Sequence, residues 1–87
     1  MPHILARLKN AKFEEVKVML TEHAPIHKQY GLYMEKVWQN DDATDEVLFL
    51  FRTDDLAKSK EFIKKTHDEA RAEDPDVNLP HMTFLQD

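Results

Sequence analysis

Apolar and polar positions along this chain repeat with two different periods, and the changes of period mark six elements. From His3 to Leu8 every second residue matches: Ile4, Ala6 and Leu8 form a purely apolar set, His3, Leu5 and Arg7 the other. That alternation predicts a first strand with Ile4, Ala6 and Leu8 facing a core. From Lys12 to about Tyr30 the repeat lengthens. Phe13, Val16, Leu20, His23 or Ala24, His27 and Tyr30 recur at three- and four-residue steps, the stripe of an amphipathic helix. Asn10 is its expected N-cap, and Glu14 and Glu15 complement the dipole of its first turns. Pro25 removes a backbone donor and crowds the carbonyl four residues back, so a kink, or a break and restart, is expected there. Gly31, the only glycine, stands where a helix needs a left-handed residue to end.

The period of two returns from Tyr33 to Asn40. Met34, Lys36 and Trp38 are expected on one face, Tyr33, Glu35, Val37 and Gln39 on the other. The mixed charge suits an edge strand. Asn40 to Asp45 is turn chemistry for a loose hairpin. Glu46 to Thr53 follows, with five successive apolar residues between Glu46 and Arg52. Thr53-Asp54-Asp55 starts a second helix, whose stripe (Leu56, Ser59, Phe62 or Ile63, Thr66, Ala70) runs to about Ala72. Pro80 keeps Leu79 extended, and His81 to Gln86 is the last strand. The order β-α-β-β-α-β predicts an α+β, ferredoxin-like domain over residues 1–87. Its four-stranded antiparallel sheet has strands one and three in the middle and both helices on one face.

Strand three does not alternate apolar with polar. Val47, Phe49 and Phe51 fall on one face, Leu48 and Leu50 on the other, so both faces need cover. Two helices cover one face only. The phenylalanines are expected beneath the helices, where an intramolecular core needs volume. The leucine face is expected to pack on a second copy of the chain, because each large apolar side chain left in water forgoes roughly 1.5–3 kcal/mol. Length points the same way. A domain of 87 residues buries little surface, and with no cysteine it has neither disulfides nor thiolate metal sites to support it.

With 12 basic and 17 acidic residues the net charge is −5. That balance disfavours nucleic acid and anionic membrane surfaces as partners. Lys58, Lys60, Lys64 and Lys65, interleaved with Glu61, Asp68 and Glu69, read as a solvated helix face. Ile4-Leu5-Ala6 before Arg7 and Lys9 is far short of a signal-peptide core, and no run spans a bilayer. A cytoplasmic protein is expected.

Several stretches together resemble the small dimeric α+β barrel proteins related to the antibiotic-biosynthesis monooxygenase superfamily. They are Phe13-Glu14-Glu15-Val16, Glu22 to His27, Val37 to Asp42, Glu46 to Phe51 and Thr53 to Phe62, and the similarity runs from about Leu5 to Leu85. The resemblance implies two ferredoxin-like sheets packed face to face, with a pocket between each sheet and its helices. It implies cofactor-independent monooxygenases, haem-degrading enzymes or proteins without catalysis as possible functions, and it points to His23 as a pocket residue. Trp38 and His67 are present, but no asparagine completes the Asn-Trp-His set of the haem-degrading members.

Candidate chemistry is sparse. His23 and His27, four apart, could share a helix face and ligate a metal; a histidine packed under the sheet is the simpler role, and no metal site is assigned. Trp38 could stack on a planar ligand or seal the sheet. Arg7 and Arg52, on central strands, need a partner such as Glu35, Glu46 or another subunit, or could hold a ligand carboxylate. Phe49 completes the candidate ligand contacts. His23 is the one candidate for catalysis, as a base. A single glycine rules out a phosphate-cradling loop. Two functions are expected, the first from these residues and the second from what the resemblance implies. One is a small-molecule binding or structural homodimer without catalysis or cofactor. The other is a cofactor-independent monooxygenase acting on a planar aromatic ligand.

Overall fold

The computed structural model describes residues 1–86. Six elements follow in the expected order: β1 His3–Leu8, α1 Phe13–Gln29, β2 Leu32–Gln39, β3 Val47–Thr53, α2 Leu56–Glu73 and β4 His81–Leu85. The sheet has the order β2-β3-β1-β4, all neighbours antiparallel, so β1 and β3 are central and β2 and β4 are edges. This is the ferredoxin-like arrangement.

β3 separates its two faces residue by residue. Val47, Phe49, Phe51 and Thr53 are buried, while Leu48, Leu50 and Arg52 are half-buried. The buried set joins Ile4, Ala6 and Leu8 of β1, Leu32 of β2, Val16 and Leu20 of α1 and Ile63 of α2 in one core. The phenylalanines therefore lie under the helices, as volume requires.

Three local expectations are corrected. Asn10 is not the cap of α1; it adopts a left-handed φ of 56°, which a short polar side chain tolerates, and turns the chain before the helix. Lys12 occupies the cap position and makes no capping bond. Of the kink or break expected at Pro25, the break is absent: α1 runs through it to Gln29. Pro25 is exposed and close to the helix end, and packing on either side of it (Leu20 buried, His27 half-buried) outweighs one lost backbone bond. In β2 the register shifts between Met34 and Lys36. Glu35 is thus an extra residue, a β-bulge, and the strict alternation fails there. Met34 and Val37 stand opposite Phe51 and Phe49 on the helix side, whereas Tyr33, Lys36 and Trp38 stand opposite Arg52, Leu50 and Leu48 on the open side.

Gly31 ends α1 with φ 76°, its N–H donating to the Lys28 carbonyl. A Cβ there would meet the Asp54 carboxylate, the end of an exposed side chain that can move aside, so the positive φ is what requires glycine. Nearby, two buried hydroxyls join three elements. Thr53 Oγ1 lies 2.7 Å from Ser59 Oγ, which donates to the Tyr30 carbonyl at 3.1 Å. Thr53 Oγ1 in turn accepts from the Asp55 N–H at 3.1 Å. Asp55 caps α2 by accepting from the Lys58 N–H.

Candidate functional site

Between the sheet and the two helices the core is not filled. A cavity of about 260 Å³ remains, floored by Phe49 and Phe51 of β3 and walled by His23 and His27 of α1 and by Ile63 and His67 of α2. Its existence follows from the helix stripes. On α1 the apolar row passes from Leu20 to His27, and on α2 from Ile63 to His67 four residues on, so imidazoles replace aliphatic side chains just where the helices face each other across the sheet. The connector before β4 closes one side with Leu79 and Pro80.

The imidazoles differ in surroundings. His23 is exposed on its outer side, and its Nδ1 lies 2.8 Å from the Met19 carbonyl oxygen. A carbonyl only accepts, so Nδ1 carries the proton, and in the neutral ring Nε2 keeps a free lone pair. His27 packs edge-on against Phe51, with centroids 5.3 Å apart, and against Phe62 at 6.3 Å. Its pKa is lowered, chiefly by burial and further by His23. Burial also lowers the pKa of His67, with Arg71 adding to the effect and Asp68 opposing it. Burial therefore favours the neutral rings of His27 and His67, in apolar walls that suit a weakly acidic aromatic guest.

The rings of His23 and His27 are stacked, 6.2 Å apart at 28°. Among the described residues no group of three or more His, Asp or Glu is placed to hold a metal ion.

The remaining candidates lie elsewhere. Trp38 and Arg7 are on the opposite face of the sheet, where Trp38 is 43% exposed. Arg7 pairs with Glu46, Nε to Oε1 at 3.4 Å. Arg52 lies over the Tyr33 ring at 4.9 Å, and its buried Nε has no hydrogen-bond partner among the described residues. His3 meets Glu35 at 2.7 Å on the same open face. The structure thus brings His23, His27 and Phe49 together and keeps Trp38 and Arg7 apart from them. His67 had no place among the sequence candidates; its spacing of four from Ile63 is the signal that puts it on the sheet-facing side of α2.

No family model matches the sequence, and no curated protein matches it. Among solved structures, one similar chain comes from Deinococcus radiodurans, a protein proposed to be an antibiotic biosynthesis monooxygenase. It aligns over 100% of this chain and 92% of its own with a TM-score of 0.63, at 16% identity. No helix of the described residues is long and apolar enough to cross a membrane. The similarity extends over the whole domain and shows a shared fold: this chain and that protein have the same ferredoxin-like architecture.

Proposed function

We propose that this protein binds a small planar aromatic molecule in the cavity between sheet and helices, and that it does so as a homodimer joined through the open sheet face. The observation that carries the reading is the cavity itself. At about 260 Å³ it lies just under the roughly 300 Å³ of the smaller ligand sites. It exceeds the ~150 Å³ void that accepts a single benzene ring. One or two fused rings with a phenolic hydroxyl match both its size and its imidazole walls. The dimer reading rests on Leu5, Leu48 and Leu50 at the centre of the open face, with Trp38 and Leu85 beside them on its edge strands.

A thermal-shift series with phenols, naphthols, quinols and haem tests the binding. The smaller phenols and naphthols should raise Tm in a concentration-dependent way. No stabilisation by any member would end this reading.

A second reading, favoured by the free Nε2 of His23, is a cofactor-independent oxygenase. His23 would take the proton of a bound phenol, and the electron-rich phenolate would be oxidised by dioxygen, one oxygen atom remaining in a quinone product and the other leaving as water. Oxygen uptake with a bound quinol precursor, lost in His23→Gln while binding persists, separates catalysis from binding alone.

A further inference from the structure

Beside the inner cavity lies a second depression of about 440 Å³, between α2 and the edge strand β4. The two share Ile63, His67, Pro80 and Met82 as lining, so they adjoin along one wall. Their chemistry differs. The outer groove is bordered by Lys60, Lys64 and Arg71 of α2 and by His81 of β4, and among the described residues Asp68 is the only acid lining it. This concentration of positive charge belongs to a chain whose net charge is −5.

Lys60 and Lys64 are one turn apart, a like-charge pair that costs helix stability. Lys60 has no acid one turn away, and Asp68, one turn beyond Lys64, pairs with Arg71 instead. Neither has an ion-pair partner among the described residues. Lys60 instead holds its ammonium 4.9 Å above the Phe84 ring, with the aromatic floor of the groove beneath it. Arg71 shares only the exposed Asp68, at 3.3 Å. The groove therefore combines two lysines that make no ion pair among the described residues with an apolar floor, and it meets the inner cavity at His67.

We propose that the ligand of the inner cavity carries an anionic substituent, a carboxylate or its like, which lies in the outer groove among Lys60, Lys64 and Arg71 while the ring lies inside past His67. This rests on the cavity reading above and narrows it to aromatic acids. Cations on one side and neutral imidazoles on the other would also fix which end of the ligand points toward His23, since only the ring end can lose its water without losing a charge.

The test compares 2-naphthol with 6-hydroxy-2-naphthoate by calorimetric titration. The acid should bind the wild-type protein about tenfold more tightly at low salt. In the triple variant Lys60→Gln, Lys64→Gln, Arg71→Gln that preference should fall to about twofold or less, with naphthol affinity unchanged. Raising the salt concentration should erode the wild-type preference in the same way, independently of how the variant folds. Equal binding of the two compounds, or a preference that survives both the variant and high salt, overturns the proposal while leaving the cavity reading intact, because naphthol still binds. Failure of both compounds to bind overturns the cavity reading, and the aromatic-acid proposal with it. Binding of the acid alone would leave a surface anion site and overturn the joined one.

Discussion

The two faces of one sheet were built from the same strands and came out differently. Beneath the helices, Val47, Phe49 and Phe51 are at most 3% exposed, and the core they join draws on β1, β2 and both helices. On the other face the same strand presents Leu48, Leu50 and Arg52, all half-buried, flanked by the Arg7–Glu46 and His3–Glu35 pairs. The first face is completed by the chain itself, apart from one cavity. The second has an apolar centre and a charged surround with no cover of its own, the composition of an association surface. Burial within a strand therefore does not report how far a domain is finished; each face has to be judged separately.

The largest expected effect is on the completed face. Phe51→Ala removes the ring that packs on Phe49 and His27 and should cost about 3–5 kcal/mol in denaturant unfolding. That approaches the whole stability of a domain this size, roughly 5–15 kcal/mol. The open face should respond in the opposite sense. Leu48→Lys with Leu50→Lys should leave the stability of the isolated chain within about 1 kcal/mol but weaken self-association at least about a hundredfold by sedimentation equilibrium. If Phe51→Ala and the leucine pair cost the same stability and the pair left sedimentation unaltered, the contrast between the faces would be false.

A smaller effect comes from protons. The folded-state pKa of His27 and that of His67 both lie below the ordinary histidine value of 6.5. Below pH 6.5 the unfolded chain takes up protons that the folded chain does not, so their contribution is complete above that pH and is lost progressively as the pH falls toward the folded values. Tm should fall between pH 7.5 and 5.5, and the slope should shrink in His27→Gln. The smallest effect is expected at the rim. Arg7→Gln removes an exposed partner of Glu46 and should change stability by less than ~1 kcal/mol in the same unfolding assay.

Most of the frame was legible because it depends on periodicity. The element order, the central position of β1 and β3, Gly31 as a helix end and the burial of the phenylalanines all follow from spacing and volume. What escaped depends on contacts between distant segments. Thr53 and Ser59 look like ordinary polar residues in sequence, yet their hydroxyls bind each other and the Tyr30 carbonyl in the interior. The cavity was foreseen as a possibility near His23, but His67 entered it only because α2 lies against α1 in three dimensions. Lys60 and Lys64 read as solvated until β4 supplied Phe84 and His81 across from them. The error in β2 had a different origin. A period of two assumes one residue per position, and the insertion of Glu35 reverses every assignment beyond it.

That insertion has a genetic consequence. Loss of the single codon for Glu35 would remove the unpaired residue and leave a regular strand, with Lys36 still opposite Leu50 and Trp38 still opposite Leu48. The open surface would keep its tryptophan and lose only the acid that holds His3. A codon lost between Val37 and Gln39 has no such slack and would turn the side chains beyond it to the other face. For lineages descended from this protein, the bulge is thus the one place in β2 where a deletion should be tolerated, and length changes in the rest of the strand should be far rarer than replacements.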